Sequence, residues 1–134
     1  MTKNIKYLSA KEIAIINLGI VGDRHRIKFP NKLEIVETIP KSDFFGKEMY
    51  DTIAKKAGIL FIKLINLHCF DDGNKRTALI SLDMFLDRNG FIINLSESEL
   101  AEFAIRIAKT DERNLSYDEI YRYIEKNIIY KTFS

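Results

Sequence analysis

The sequence predicts an all-α protein, a compact bundle of about six helices. Apolar residues recur every three or four positions along most of the chain, which is the spacing of the buried face of an α-helix. At four places a Ser or Asn stands three residues before a Glu and just ahead of such a stripe, a pattern typical of a helix N-terminus. No repeat, low-complexity tract or linker divides the 134 residues, so we expect a single domain over residues 1–134.

The N-terminal part is predicted to hold two helices and two loops. Ser9 begins the first, amphipathic helix, and Asn31, in a pattern that only approximates a capping box, begins the second. The loops are predicted at residues 19–30 and 40–46, which are bounded by Gly and Pro.

The third and fourth helices flank a short polar break and are predicted to form the centre of the bundle. The apolar stripe upstream runs to about Leu67 and comprises Tyr50, Ile53, Ala54, Ala57, Leu60, Phe61, Leu64 and Ile65. The stripe downstream comprises Ala78, Leu79, Leu82, Phe85 and Leu86, and Asn89-Gly90 ends that helix.

Two more helices are predicted in the C-terminal part, after a short extended piece at residues 91–95. Ser96 and Ser116 begin them, each with a Glu three residues later. Their apolar stripes are Leu100, Phe103, Ala104, Ile107 and Ala108 in one, and Ile120, Tyr121, Ile124 and Ile128 in the other.

Composition indicates a soluble globular protein, with 46% hydrophobic and 30% charged residues. The single cysteine excludes an intramolecular disulfide and is compatible with the reducing cytoplasm, where we expect the protein to be. Glu12 and Asn17 interrupt the apolar stretch near the N-terminus, which favours an amphipathic helix over a signal peptide. No apolar run is long enough to span a membrane, so no membrane partner is expected.

The net charge of +2 is too small to indicate direct nucleic-acid binding. Its distribution is uneven, since residues 1–60 carry 11 basic and 7 acidic side chains. Five basic or titratable residues cluster in the segment 22–32: Arg24, His25, Arg26, Lys28 and Lys32. A solvated loop is the favoured interpretation of this cluster, over a docking patch for an acidic partner.

The break between the central helices concentrates the chemistry of the chain in residues 68–76. In order it contains a candidate general base, a carboxylate, a turn glycine, an amide and two cations: His68, Asp72, Gly73, Asn74, Lys75 and Arg76. Phosphoryl transfer needs this combination, because a hydroxyl must be activated and phosphate charge neutralised. Gly73 can adopt positive φ, and the unpaired N–H groups of residues 74–77 then open the next helix as an anion site.

Each of these residues also has an ordinary structural interpretation. His68 alone is better explained as a helix cap, Asp72 as a turn acid and Asn74 as an N-cap. Lys75 and Arg76 alone would be a solvated face. These interpretations explain single residues but not their combination. Cys69 is not expected to be a nucleophile paired with its neighbour His68, because adjacent side chains on a helix point about 100° apart.

The segment resembles the signature of the Fic/Doc superfamily, His-x-Phe-x-Asp/Glu-Gly/Ala-Asn-Gly/Lys-Arg. The flanking residues 77–79 and 85–90, the start at residues 7–9 and the segment 45–50 are similar to the Doc (death-on-curing) branch. The resemblance implies that His68 takes the proton of a target hydroxyl and that Asp72 holds Mg²⁺. It also implies that ATP phosphates are bound by Gly73, Asn74, Lys75, Arg76 and Thr77.

Lys75 separates two activities within that resemblance. Adenylylating relatives usually have Gly at this position, whereas the Doc branch has Lys. The resemblance implies that Lys75 fills the adenylylation pocket, that the nucleotide binds the other way round, and that its γ-phosphate is transferred. The implied activity is a protein kinase that modifies elongation factor Tu and arrests translation.

The resemblance also implies a target-docking flap and a separate inhibitor. The flap would be Lys41, Ser42, Asp43, Phe44 and Phe45, although core packing explains the two phenylalanines equally well. No internal inhibitory motif of the form Ser/Thr-x-x-x-Glu-Gly/Asn is present. Inhibition of the enzyme would therefore come from a Phd-like antitoxin. The protein would contact DNA only through that antitoxin. Two alternatives stay open: a protein adenylyltransferase, and a non-catalytic partner or corepressor.

Overall fold

The computed structural model describes residues 4–132, and six α-helices dominate this part of the chain. They are α1 (Ala10–Val21), α2 (Pro30–Thr38), α3 (Ile53–Asn66), α4 (Asn74–Arg88), α5 (Glu97–Lys109) and α6 (Tyr117–Asn127). Two short antiparallel strand pairs accompany them, β1 (Asp43–Phe44) with β2 (Lys47–Glu48), and β3 (Phe91–Ile93) with β4 (Ile128–Tyr130). The predicted all-α bundle of six helices, with the motif between its two central helices, is confirmed.

Helix α3 is the centre of the bundle and packs on α2, α4, α5 and α6. An unbroken run from Ala57 to Ile62 is buried, so this helix is enclosed on nearly every side, as its apolar sequence predicts. Gly58 allows the closest approach, because a Cβ at this position would lie 2.5 Å from Cδ1 of Tyr121 on α6. The core around α3 holds the motif loop at one end of the helix.

Three of the four predicted helix starts are confirmed. Ser9 and Ser96 form complete capping boxes, and the Ser116 side chain accepts a hydrogen bond from the N–H of Glu119. Asn31 is not a cap, which corrects the prediction. Pro30 is the first residue of α2, because its fixed φ and missing N–H suit that position, and the N-cap is Phe29, two residues before Asn31.

Other boundaries differ from the predicted ones by a few residues. Helix α1 continues through Gly19 to Val21, so the first predicted loop begins only at Gly22, whose φ of 59° ends the helix. Helix α3 starts after Thr52, whose side chain accepts from the N–H of Lys55, so Tyr50 precedes the helix. These ends are decided by a positive φ and a cap, which an apolar stripe does not reveal.

The strand pairs modify the predicted loops. The predicted extended piece is confirmed as β3, but Ile128 is paired with Ile93 in β4 and does not continue the last helix. The second predicted loop, residues 40–46, forms the first part of a hairpin whose second strand extends to Glu48. Phe45 and Gly46 are at its turn, both at positive φ, as a two-residue type I′ turn requires. Among the described helices, none has the length and apolar character needed to cross a membrane.

Candidate active site

His68 lies immediately after the C-cap of α3, in a left-handed conformation with φ of 50°. Such a conformation costs a non-glycine residue about 1–2 kcal/mol, although His tolerates it better than most residues. The side chain is exposed, and its imidazole makes no hydrogen bond within residues 4–132. His68 thus ends α3 through its backbone conformation, whereas its imidazole caps nothing and is free to meet a ligand.

Asn74 closes the motif loop on itself. Its side-chain oxygen accepts a hydrogen bond from the N–H of Phe70 at 3.1 Å, and its side-chain nitrogen donates to the Phe70 carbonyl at 2.9 Å. The Phe70 ring is 1% exposed and anchors the loop in the core. Asn74 therefore connects the loop to the first turn of α4 by hydrogen bonds. It is not the N-cap of that helix, which is Gly73.

Gly73 is at the one position of the loop where only glycine fits. Its φ is 76°, and a Cβ there would lie 2.8 Å from a methyl group of Val21 and 3.3 Å from Nδ2 of Asn17 on α1. The predicted positive φ is confirmed. The carbonyl of Gly73 accepts from the N–H of Thr77 at 2.8 Å, so the expectation of a free N–H on Thr77 is wrong. The N–H groups that stay open at this helix start belong to residues 74–76.

Asn17 organises the loop from α1 and is a residue that sequence reasoning missed. Its side chain is fully buried, and Nδ2 donates to the Asp72 carbonyl at 2.8 Å and to Oγ1 of Thr77 at 3.1 Å. Its Oδ1 is 2.8 Å from Nδ1 of His25. A buried Asn with all these partners fixes the turn before α4. The available signal was one polar residue within the apolar stripe of α1.

The basic segment forms one wall of the motif loop. The carbonyl of Cys69 accepts from the N–H groups of Lys28 and Phe29, at 2.7 and 3.1 Å, and the N–H of Asp71 donates to the Arg26 carbonyl at 3.1 Å. Ile27 and Phe70 form an isolated antiparallel bridge. The exposed side chains of Arg24 and Arg26 agree with the interpretation as a solvated loop, while the backbone of the segment is hydrogen-bonded to the motif over several residues.

Both oxygens of the Asp72 carboxylate are engaged. Oδ1 accepts from the N–H of Gly73 at 2.8 Å, and Oδ2 is 2.8 Å from a guanidinium nitrogen of Arg24. No cluster of three His, Cys, Asp or Glu side chains able to hold a metal occurs among residues 4–132. One half-exposed carboxylate is too little for a protein-only metal site, but it fits Mg²⁺ that arrives with phosphates, which usually keeps one or two carboxylate ligands.

Lys75 and Arg76 occupy an electrostatically unfavourable position. They lie in the first turn of α4, at the positive end of the helix dipole, and this turn has no acidic residue. Both side chains are exposed, and neither is in an ion pair with another part of the described chain. Two adjacent cations at a helix N-terminus repel both the dipole and each other, so the arrangement is unfavourable for stability and suited to an anionic ligand.

Cys69 takes no part in the polar site. Its side chain is fully buried, and burial raises the pKa of the thiol to about 11. A thiol with that pKa is protonated at neutral pH and is a poor nucleophile. This agrees with the expectation that the cysteine is a small buried hydrophobe.

The predicted flap is the β1–β2 hairpin. Phe44 and Phe45 are 67% and 94% exposed and stack edge to face with ring centroids 4.5 Å apart, so the core alternative for them is wrong. The hairpin base is attached to α3 by Lys56, whose ammonium donates to Glu48 at 3.0 Å and to the Pro40 carbonyl at 3.2 Å. Burial opposes the charge of Lys56, yet its hydrogen bonds to Glu48 and Tyr7 raise its pKa overall.

The fold and the phosphate-suited loop agree with comparisons with known proteins. The model of the Fic/DOC family matches residues 7–86, more than half of the chain, and this protein belongs to that family. Members of the family are generally enzymes that transfer nucleotide or phosphate groups. The chain is also 26% identical over 112 residues to Toxin Doc from Mycolicibacterium smegmatis, across 79% of this chain and 86% of that protein. Together the two matches support the Doc branch of the family.

Proposed function

We propose that this protein is the toxin of a type II toxin–antitoxin system and acts as a Mg²⁺-dependent protein kinase. It transfers the γ-phosphate of ATP to a hydroxyl of a translation factor, elongation factor Tu by resemblance, and so arrests translation in the cytoplasm. The whole sequence, residues 1–134, acts as one Fic/Doc domain. The observation that carries the proposal is Lys75 at the positive end of α4, in the same short segment as the exposed His68 and the half-exposed Asp72.

His68 on one side of the loop is proposed to handle the proton, and residues 74–76 on the other to bind the phosphates. His68 accepts the proton of the target hydroxyl, the oxygen attacks the γ-phosphorus, and ADP leaves. The N–H groups of residues 74–76 and the side chains of Lys75 and Arg76 bind the phosphate oxygens and neutralise their charge. Asp72 holds Mg²⁺, which when bound neutralises charge on the phosphates. Gly73 lets the backbone turn toward them, and Thr77 supports the helix start through its bond to Asn17.

Lys75 favours γ-phosphate transfer over transfer of AMP. Its side chain adds bulk and a fixed positive charge at the position where adenylylating relatives have Gly. An α-phosphate beside His68 would need that space, so the nucleotide is expected to present its γ-phosphate there. Adenylyl transfer stays the alternative reaction, in which the same loop would bind the nucleotide in the opposite direction.

Labelled ATP distinguishes the two reactions. The protein is incubated with elongation factor Tu and Mg²⁺ in parallel reactions containing γ-labelled or α-labelled ATP. We expect label on the factor from γ-labelled ATP alone and a phosphate-sized mass increment. The His68→Ala variant serves as the control and should transfer neither label. Transfer of the α-label would establish the adenylyltransferase alternative, and transfer of neither by the wild type would contradict the proposed kinase activity on this target.

The flap is proposed to dock the target. Lys41 and Ser42 lead into β1, which begins at Asp43 and whose backbone can pair with an extended target segment. Phe44 at the end of β1 and Phe45 in the turn offer an exposed aromatic pair. Large exposed aromatic side chains are typical anchors of protein interfaces. The hairpin is thereby proposed as the contact for the protein substrate.

A groove beside Arg76 suits a Phd-like antitoxin. It has a volume of about 480 Å³ and apolar walls, is bordered by Arg76 and Glu97, and is lined by Ile20, Leu79, Ile80 and Leu100 from α1, α4 and α5. An amphipathic antitoxin helix could bury its apolar face here and pair an acidic side chain with Arg76, which would also withdraw Arg76 from phosphate. DNA binding would then come from the antitoxin, in keeping with the small net charge of +2.

A further inference from the structure

Arg24 forms an ion pair with the carboxylate of Asp72, to which the proposed function assigns Mg²⁺. Its guanidinium nitrogen lies 2.8 Å from Oδ2 of Asp72, while Oδ1 is taken by the N–H of Gly73. Oδ2 is therefore the oxygen that a metal ion would have to share or take over. Because the guanidinium of Arg24 already contacts this oxygen, binding of Mg²⁺ at Asp72 requires the Arg24 side chain to move.

The backbone that carries Arg24 cannot move far from the loop. Arg24 ends a 3-10 turn that follows α1, and the next residue, His25, is joined to the buried Asn17. From Arg26 to Phe29 the segment is hydrogen-bonded to residues 69 and 71 of the motif loop. The Arg24 side chain is 68% exposed and free to change rotamer. Once displaced, the guanidinium thus remains within side-chain reach of whatever anion occupies the loop.

We infer that Arg24 is a phosphate-binding residue of the nucleotide site that is held on Asp72 until the metal–nucleotide arrives. With Asp72 holding Mg²⁺, the released guanidinium would bind the phosphate oxygens together with Lys75 and Arg76. Arg24 is thereby paired with an anion both before and after binding. This inference rests on the proposed nucleotide binding and assigns a role to the basic segment in it.

Arg26 provides a matched control on the same segment. It pairs with Asp71 at 3.3 Å, and its side chain is 74% exposed, so Arg26→Gln removes the same charge from the same surface. Asp71 is outside the proposed metal site, and the backbone bonds of residue 26 do not depend on its side chain. A difference between the Arg24→Gln and Arg26→Gln proteins therefore reports on position and not on net charge.

Isothermal titration calorimetry with ATP, in Mg²⁺ and in EDTA, tests the exchange. In Mg²⁺ we expect Arg24→Gln to raise the Kd for ATP about tenfold over Arg26→Gln, the loss of one charge-assisted contact. In EDTA the two variants should have similar Kd values, because without the metal Arg24 stays on Asp72. Thermal unfolding of both proteins verifies that the loop is intact.

The outcomes separate this inference from the proposed function. Wild-type protein that does not bind ATP in Mg²⁺ would overturn nucleotide binding itself, and the inference with it. If wild type binds but Arg24→Gln binds equally well, the ion pair with Asp72 is structural and the inference fails. A loss of equal size in EDTA and in Mg²⁺ would also overturn it, since a merely structural role would weaken binding in both conditions.

Discussion

At the scale of single residues, the motif loop keeps a histidine in a backbone conformation that glycine would adopt at less cost. His68 has φ of 50°, directly after the C-cap of α3, where helices often have glycine. A strained residue is retained when its side chain has a task that outweighs the strain. The exposed, unbonded imidazole fits the proposed role as general base.

Substitution of His68 separates this strain from the chemistry. His68→Ala and His68→Gly should both abolish phosphate transfer and growth arrest, because neither can accept the proton. His68→Gly should be more stable than His68→Ala by about 1 kcal/mol, since only glycine enters the left-handed region without a Cβ penalty. Urea denaturation gives the stability order, and a fully toxic His68→Ala protein at equal expression would refute the mechanism.

Among pairs of elements, the contact of α3 with α6 depends on one glycine. A Cβ on Gly58 would lie 2.5 and 2.8 Å from two ring carbons of the buried Tyr121, distances that real Cβ atoms do not show. Glycine in a helix interior costs about 1 kcal/mol relative to alanine, and close packing on α6 offsets that cost here.

Alanine substitution tests this contact with a control in the same protein. Gly58→Ala should destabilise the fold by about 1–2 kcal/mol, because overpacking exceeds the gain in helix propensity. Gly19→Ala in α1 should instead stabilise it by about 0.5–1 kcal/mol, since nothing lies within 4 Å of its added Cβ. Urea unfolding of both variants measures the two effects, and a stabilised Gly58→Ala protein would contradict the packing argument.

The start of α1 is joined to the end of α4 by an ion pair between Glu12 and Arg88. The hydrogen bond from Arg88, followed by that from the Ser9 backbone, lowers the pKa of Glu12 from 4.5 to about 2. A lowered pKa means that the folded state binds the proton less well than the unfolded state. The resulting stability is present above about pH 4.5 and is lost as the pH falls toward 2.

Glu12→Gln should therefore remove a pH-dependent part of the stability. With solvent screening of this partly exposed pair allowed for, we expect a loss of about 1 kcal/mol at neutral pH that disappears near pH 2. The control is Glu99→Gln, because Glu99 forms the same capping box on α5 but has no arginine partner in the described chain. Thermal unfolding across this pH range should show a larger change for Glu12→Gln, and equal changes would assign the effect to capping alone.

At the scale of the whole molecule, inhibition of the toxin is proposed to come from a separate protein, the antitoxin. The sequence has no internal inhibitory motif, and the groove between α1, α4 and α5 has Arg76 at its edge. An antitoxin seated there would cover a residue of the phosphate site from a surface that the nucleotide does not need. Antitoxin docking and phosphate binding would then share Arg76 and otherwise use different parts of the same helix.

Expression in bacteria tests this arrangement. Wild-type protein alone should stop growth, and coexpression of the neighbouring gene product should restore it. Ile80→Asp in the groove should stay toxic but resist rescue, because a carboxylate in the apolar wall prevents docking. Ile129→Asp changes an equally exposed isoleucine on β4 and should be rescued normally. A harmless wild-type protein, shown to be soluble and folded, would count against the toxin proposal.

Much of the fold was predictable because its signals are local. The stripes of α3 and α4 and the capping boxes of Ser9 and Ser96 depend on residues at most a few positions apart. Some errors at helix ends had local causes, such as Pro30 at the start of α2, but others arose where a distant partner decided the outcome. Ile128 continues a helical pattern, yet it pairs with Ile93 in a strand, because backbone bonding to β3 outweighs the local preference.

The amino-acid sequence by itself determined the family, the six helices and the concentration of His68, Asp72, Lys75 and Arg76 in one short loop, since these features lie close together along the chain. Only the tertiary structure decided what surrounds that loop. Asn17 is 55 residues from Asp72 and still holds its carbonyl. The ion pair of Arg24 with Asp72 likewise joins segments that meet only because α1 packs on α4, so no local pattern could reveal it.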